Sequence, residues 1–251
     1  MARLVVLGSA SPKPDRFRNN TYMLLQGRRD NILIDCAGCP MQALQQVGVD
    51  LSTLNHLIVT HRHPDHIYGV PVLVLGLWLC GRTEPLVVMG ERQSLATISA
   101  LLEIFRSEEW PSLFSLMYHE VAMQPDELVL ETEDFLITST PVQHMVPTLA
   151  LRIVSKATGK VLVYSADTEP CDELVRFAQG ADLLLHEATG EGIGHSGSAQ
   201  AGEIARRCGA KSLALVHLPT FDLDLDDWRR QAERTFGGPV SLAADFGAYE
   251  L

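Results

Sequence analysis

Short apolar runs separated by glycine, proline and polar turns fill the first half of the chain. Such runs are typical of buried strands, and they predict strands at residues 4–7, 21–25, 32–34, 56–59 and 86–89. Apolar residues at helical spacing, from Leu95 through Ile98 and Leu102, predict a helix at 92–105. Two further helices are predicted at 40–47, where Pro40 takes a tolerated first-turn position, and at 67–80.

The second half repeats this arrangement of strands followed by alternating strands and helices. The same patterns predict strands at residues 128–130, 135–138, 149–154, 161–164, 183–186, 213–216 and 240–243. They predict helices at 171–178, 198–208 and 226–236. Two runs of strands that each lead into strand–helix alternation indicate an α/β protein with two packed β-sheets and helices outside them.

Composition narrows the class of protein. The 251 residues are 46% hydrophobic, enough to bury the core of one large domain. Because no linker or low-complexity tract divides the chain, we expect a single domain over 1–251.

The apolar run at 67–80 is shorter than the roughly 20 residues that cross a bilayer, and we see no signal peptide, so no membrane association is expected. The net charge of −11 argues against stable nucleic-acid binding, which usually needs a basic surface.

The cysteines indicate a reducing compartment. There are five, an odd number without the spacing of a disulfide framework, so we expect a cytoplasmic protein. Cys36 and Cys39 form a lone CxxC pair whose partner pair is missing, which argues against a structural zinc site. Two packed cysteines are the expected interpretation, and a redox pair is the alternative.

The most informative segment is the run from Thr60 to His66, THRHPDH. Three imidazoles and a carboxylate fall within six residues directly after the predicted strand at 56–59. His61 and His63 are two positions apart, so they point to the same side of an extended chain, and Asp65 and His66 follow Pro64. The alternative is a polar, solvated loop in which the histidines occur by chance, but such loops favour Asn, Ser and Lys over imidazoles at fixed spacing. Nitrogen and carboxylate ligands in this arrangement suit a divalent ion of the zinc type.

Single polar residues recur where later apolar strands end. This group contains His144, Asp167, His186, Glu187 and His217, and His195 lies in a glycine-rich loop nearby. A rigid sheet commonly presents reactive groups on the loops at its edge. Each residue alone could be a packed or capping residue, and His186 is expected to be structural. Together with the first motif, they indicate a shared metal site.

On these residues the chain resembles the metallo-β-lactamase-fold hydrolases along nearly its whole length, and the HxHxDH motif carries most of the resemblance. The resemblance implies a four-layer αββα sandwich of two mixed β-sheets with a two-metal site at the sheet edge. It also implies a ligand set. One metal would take His61, His63 and His144, the second would take Asp65, His66 and His217, and Asp167 would bridge them.

Within this family the chain is most similar to the ribonuclease Z branch. The similar stretches are Gly69-Val70-Pro71, His186-Glu187-Ala188-Thr189 and Gly194-His195-Ser196. In that branch the histidine matching His195 donates a proton. Pro64 departs from the branch, which usually has glycine there. His144 and Asp167 are also only 23 positions apart, and a plain hairpin around 155–160 is expected where ribonuclease Z carries an arm that grips transfer RNA.

The expected activity is that of a metal-dependent hydrolase that uses a two-metal-activated hydroxide. Asp65 would accept the proton of the attacking water, His195 would protonate the leaving group, and Glu187 would orient His195. A solvent-facing Glu187 at a strand end is the alternative. Two divalent ions are expected as cofactors, zinc first, with manganese or iron as alternatives.

The expected substrate is a small or single-stranded phosphodiester. The alternatives are a carboxyl hydrolase acting on a thioester or lactone, a 3′ transfer-RNA processing endoribonuclease, and a metal-stabilised binding module without turnover. Apolar groups in the helix at 67–80, among them Leu75, Trp78 and Leu79, could form the surface of a homodimer, as in the resembling branch. The other interpretation of this helix is that it is simply buried.

Overall fold

Two β-sheets of seven strands each face one another in the computed structural model, which describes residues 2–220 and 224–251. The single-domain prediction also covers Met1 and residues 221–223, which lie outside the described residues. The first sheet contains β1 (Arg3–Gly8), β2 (Tyr22–Gln26), β3 (Asn31–Ile34), β4 (Leu54–Ile58), β5 (Leu86–Gly90), β6 (Leu116–Glu120) and β14 (Ala248–Glu250). The second contains β7 (Glu127–Glu131), β8 (Phe135–Val142), β9 (Thr148–Ser155), β10 (Val161–Tyr164), β11 (Leu183–Glu187), β12 (Leu213–Val216) and β13 (Val240–Leu242).

Both sheets are mixed, and each has its antiparallel strand pairs on one side and its parallel pairs on the other. The orders are β14-β1-β2-β3-β4-β5-β6 and β13-β12-β11-β10-β9-β8-β7. In the first sheet β3 to β6 run parallel, and in the second β10 to β13 do. The remaining pairs are antiparallel.

Helices cover the outer face of each sheet. Beside the first sheet lie α1 (Pro40–Val47), α2 (Pro64–Ile67), α3 (Val70–Leu79) and α4 (Arg92–Ile104). Beside the second lie α5 (Asp172–Phe177), α6 (Ser198–Cys208) and α7 (Leu225–Phe236). Apolar side chains are buried in three layers, one between the sheets and one under each set of helices. The predicted four-layer αββα sandwich is therefore confirmed.

The predicted helix at 67–80 is wrong in one respect, because the structure breaks it into α2 and α3 at Tyr68 and Gly69. A Cβ atom at Gly69 would lie 2.8 Å from the carbonyl oxygen of Cys36, and the Gly69 amide donates to that oxygen. The break therefore brings the helix against the loop that follows β3. Among the described residues, no helix has the length and apolar character needed to cross a membrane.

Strands β6 and β14 were not predicted, whereas the hairpin of β9 and β10 was. Most of β6 is exposed, so its sequence lacks the apolar alternation of a half-buried strand, and β14 has only three residues. Strands β9 and β10 pair antiparallel, with Val154 opposite Val161. Residues 144–167 are all described, and they contain this plain hairpin with no protruding arm, which confirms the prediction for this interval.

Candidate metal centre

The histidine-rich motif leaves β4 and enters α2 within a few residues. Thr60 ends the extended segment, and its amide donates to the Asp35 carboxylate (2.8 Å), which fixes the start of the loop. Pro64 has no amide hydrogen and begins α2 in its first turn, where that hydrogen would be unpaired anyway. Because α2 starts there, Asp65 and His66 turn back toward His61 and His63.

A first group of candidate ligand atoms comes from His61, His63 and His144. Nδ1 of His63 lies 3.2 Å from Nε2 of His61 and 2.9 Å from Nε2 of His144. His144 reaches this position from the segment between β8 and β9, 81 residues from His63 in the sequence. The three nitrogens lie within 4.8 Å of one another, close enough to hold one ion.

A second group comes from Asp65, His66 and His217. Oδ2 of Asp65 lies 3.3 Å from Nε2 of His217 and 3.5 Å from Nε2 of His66. Asp167 stands between the two groups, because its Oδ2 lies 3.5 Å from Nε2 of both His66 and His217 and 3.8 Å from Nε2 of His61. The structure thus brings the whole predicted ligand set together at one edge of the sheets.

Asp35 orients two of these histidines. Its Oδ2 accepts from Nδ1 of His66 at 2.8 Å. The Thr60 hydroxyl donates to the same carboxylate at 2.9 Å, so that hydroxyl can only accept from Nδ1 of His61, which lies 3.1 Å away. With both Nδ1 atoms acting as donors, the rings of His61 and His66, when neutral, turn the lone pairs of Nε2 toward the site.

The rings of His144 and His217 are oriented in the same way. Nδ1 of His144 donates to the carbonyl oxygen of Gly194 at 2.6 Å. The Thr189 hydroxyl donates to the carbonyl of His217 (3.1 Å) and accepts from Nδ1 of that ring (2.6 Å). Four Nε2 lone pairs therefore converge on one space, an arrangement typical of histidines that ligate metal.

The side chains in this space fit divalent cations. Oδ1 of Asp167 and Nε2 of His66 are buried and have no hydrogen-bond partner among residues 2–220 and 224–251. Buried carboxylates and facing lone pairs repel unless a cation lies between them. Imidazole and carboxylate ligands suit zinc and its neighbours among the transition metals.

The pKa shifts favour the ligating protonation states of two groups. Burial, reinforced by the charge of His66, holds the pKa of His61 well below its usual range. Burial alone would raise the pKa of Asp167, but the neighbouring His217 and His66 hold it well below its usual range. Burial would likewise lower the pKa of His66, but Asp167 and Asp35 raise it well above its usual value, which reflects the excess of negative charge around the ring.

Glu187 is fully buried at the end of β11, so it does not face solvent. Its Oε1 accepts from Nδ1 of His195 at 3.0 Å and from the amide of Ser196 at 3.0 Å, and its Oε2 accepts from the amide of Thr189 at 2.8 Å. Burial would lower the pKa of His195, but the hydrogen bond and charge of Glu187 raise it above its usual value.

His195 lies at the rim of the ligand cluster. Its Nδ1 is 3.9 Å from Oδ2 of Asp167, and one of its ring nitrogens falls within 4.8 Å of the ligand atoms of His144 and Asp167. Because Nδ1 is engaged by Glu187, Nε2 is the nitrogen left to meet a substrate.

Two other predicted features lie outside the ligand cluster. His186 is buried and donates from Nδ1 to the carbonyl oxygen of Glu187 at 2.7 Å, as expected of a structural residue. Cys36 is buried and Cys39 is exposed, and both are free thiols.

Sequence reasoning missed Asp35, although the signal that found the others was present. Asp35 directly follows the apolar strand β3, as Asp167 and His217 closely follow β10 and β12. Asp35 and His217 also have positive φ angles of 58° and 55°. Such strained backbone conformations in residues other than glycine concentrate at functional sites.

The chain is similar to known proteins in sequence and in fold. Residues 30–218 match the model of the β-lactamase superfamily domain. Ribonuclease Z of Methanothermobacter thermautotrophicus is 28% identical over 88% of this chain and 87% of its own. The metallo-β-lactamase fold protein YhfI of Bacillus subtilis is 27% identical, with a TM-score of 0.82 over 100% of this chain and 99% of that one.

A third relative shares the fold at lower identity. The short form of human tRNase Z superposes with a TM-score of 0.79 over 99% of this chain and 98% of its own, at 22% identity. The family match spans more than half of the chain, and the residues that could hold metal converge in space. The chain therefore belongs to the β-lactamase superfamily and is a metal-dependent hydrolase similar to ribonuclease Z.

Proposed function

We propose that the protein hydrolyses a phosphodiester bond at a centre of two divalent cations. His61, His63 and His144 would hold one cation, Asp65, His66 and His217 would hold the other, and Asp167 would contact both. The observation that carries the proposal is the convergence of these side chains beside a histidine, His195, whose Nδ1 is engaged by a buried carboxylate.

When bound, the cations supply Lewis acidity that lowers the pKa of a water molecule from about 15.7 towards neutrality and neutralises charge on the phosphoryl oxygens. Asp65 would accept the proton of the attacking water, and its Oδ2 lies 3.3 Å from Nε2 of His217, a candidate ligand of the same site. His195 would donate a proton from Nε2 to the leaving oxygen. Glu187 would hold the ring in place and favour its protonated form, because it raises the pKa of His195.

Zinc is the proposed metal. Five of the seven side chains in the proposed ligand set are histidines, and imidazole favours zinc over manganese and iron(II) at sites of this kind. Availability in the cell decides between ions of similar affinity, so manganese and iron remain the competing occupants in a metal analysis.

The proposed substrate is a small or single-stranded phosphodiester. The relatives named ribonuclease Z support phosphodiester chemistry. The plain β9–β10 hairpin and the net charge of −11 support a substrate smaller than folded transfer RNA. The second candidate function, 3′ processing of transfer RNA, is supported by the names of those same relatives, and its assay is cleavage of a precursor transfer RNA.

A homodimer through α3 is also proposed. Val72, Leu75 and Leu79 are exposed along one face of this helix, and Leu79 keeps 69% of its surface accessible. A contiguous apolar stripe of this kind is typical of an interaction surface.

The five cysteines, all within the described residues, are free thiols, which supports the proposed location in the reducing cytoplasm.

The proposal is tested by substrate class. Purified protein loaded with zinc or manganese is assayed on bis-p-nitrophenyl phosphate and, in parallel, on a panel of thioesters and lactones. Turnover of the phosphodiester that disappears in His63→Ala supports the proposal. Turnover confined to thioesters or lactones would replace it with carboxyl hydrolysis, and full metal content without any turnover would indicate a binding module.

A further inference from the structure

The loop that carries His195 is rich in glycine and pinned at its base. The Gly190 amide donates to the carbonyl of Ser196 at 3.0 Å, and the His195 amide donates to the carbonyl of Gly192 at 3.2 Å. Between these contacts Ile193 projects outward, with 81% of its surface exposed. Glycines at 190, 192 and 194 place few steric restrictions on the backbone of this loop, so we expect the position of His195 to depend on contacts made by the rest of the fold.

Gly194, next to His195, receives two such contacts. Its amide donates to Oε1 of Glu169 at 2.7 Å, and its carbonyl oxygen accepts from Nδ1 of His144 at 2.6 Å. Its φ angle is +80°, and a Cβ atom there would lie 2.7 Å from Nδ1 of His144. The backbone beside the candidate proton donor is therefore held between a carboxylate and a candidate metal ligand.

Glu169 is itself held between the two segments that bring ligands to the site. Its amide donates to the carbonyl of Gln143 at 2.8 Å, directly before His144, and its carbonyl accepts from the Thr168 hydroxyl at 2.7 Å, directly after Asp167. The proposed hydrolysis assigns Glu169 no role. Its carboxylate nevertheless makes a charge-assisted hydrogen bond to the loop. The other contacts of the loop come from its own backbone, from Glu187, from His144 and from the Ser196 hydroxyl, which donates to the carbonyl of Thr168 at 2.7 Å.

We propose that Glu169 is a positioning residue that fixes the Gly194 peptide, together with His144, and thereby places His195 against the leaving group. This inference rests on the proposed function, because it takes His195 as the proton donor of the proposed hydrolysis. Without the Glu169 carboxylate, the Gly194 amide loses its acceptor and the His195 backbone is free to move. A displacement of about 1 Å at a reacting group can cost about 100-fold in rate.

The test uses the dependence on the leaving group. A p-nitrophenolate ion departs without a proton, whereas a phenolate ion is a poorer leaving group and benefits from protonation. The substrates are the p-nitrophenyl and phenyl esters of thymidine 5′-phosphate, and the full chain loaded with zinc is used. In Glu169→Ala, kcat should fall about 10- to 100-fold on the phenyl ester and less than about threefold on the p-nitrophenyl ester, with KM and metal content unchanged.

Two variants separate the hydrogen bond from the loss of charge. Glu169→Gln should retain near wild-type rates, because its amide oxygen can still accept from Gly194. Glu173→Ala removes an exposed carboxylate from α5 and serves as the matched control, which should equal the wild type. Rates that fall equally on both esters, or a Gln variant as impaired as the Ala variant, would overturn the proposal.

A second measurement does not depend on turnover. In metal-free protein, amide hydrogen exchange over residues 190–196 should be faster in Glu169→Ala than in the wild type and unchanged in Glu169→Gln. Unchanged exchange in Glu169→Ala would overturn the positioning role. If the wild type cleaves neither ester, the proposed function fails, and the exchange result still decides whether Glu169 holds the loop.

Discussion

Asp35→Asn is the most informative single substitution outside the proposed metal ligands. The buried carboxylate accepts from the Thr60 amide through Oδ1 and from Nδ1 of His66 through Oδ2, both at 2.8 Å. Asparagine has nearly the same shape but one acceptor oxygen fewer. If its oxygen keeps the Thr60 contact, its amino group faces Nδ1 of His66. The ring must then carry its proton on Nε2, the atom that faces Asp65 and Asp167.

The expected loss follows from the role of such partners. Mutation of a residue that orients a metal ligand typically costs 10- to 100-fold in metal affinity, or about 1.4–2.8 kcal/mol. The fold should survive, because the Thr60 contact remains and a lost hydrogen bond to a charged group costs about 1.5–3 kcal/mol.

The assay is competition for zinc between the protein and a chromophoric chelator, with the melting temperature of metal-free protein measured alongside. Asp182→Asn is the matched control, because the Asp182 carboxylate also accepts two hydrogen bonds, from the Val161 amide and from Lys211. Asp182 directly precedes β11, at the end of the strand opposite Glu187 and the candidate metal centre. Metal affinity of Asp35→Asn within about threefold of the wild type would refute the reasoning.

Four further results are expected. His63→Ala should lose metal and activity together, measured by metal analysis and turnover, whereas His195→Ala should keep its metal and lose about 10²- to 10⁴-fold in kcat on substrates with poor leaving groups. Glu187 raises the pKa of His195, so activity that needs protonated His195 persists to higher pH. Glu187→Gln should therefore move the basic limb of the pH–rate profile to lower pH. Gly194→Ala should lower metal affinity and turnover, because its φ is +80° and the new Cβ would crowd Nδ1 of His144. Leu79→Glu should convert the proposed dimer to a monomer in light scattering.

Most of the fold could be predicted because its strands are buried on both faces and therefore consist of short, continuous apolar runs. Strand β6 escaped prediction because it lies at the sheet edge and exposes most of its side chains. The break between α2 and α3 depends on the approach of Gly69 to the Cys36 carbonyl. That is a tertiary contact without a sequence pattern of its own.

The candidate ligands could be found because imidazoles and carboxylates at strand ends are uncommon and share one edge of the fold. Asp35 shares that position directly after a strand, but its role became apparent only from its contact with His66. Glu169 acts through a backbone amide distant in sequence, at Gly194. The sequence alone does not indicate which carboxylate contacts that amide, because the contact depends on the fold.

The convergence of seven side chains on two cations is tested most directly by anomalous diffraction from zinc-loaded crystals, supported by metal analysis of the same sample. The account predicts two zinc ions per chain, about 3.5–4 Å apart, one beside His61, His63 and His144 and the other beside Asp65, His66 and His217, with Asp167 touching both. A single ion, or zinc bound away from these side chains, would contradict it.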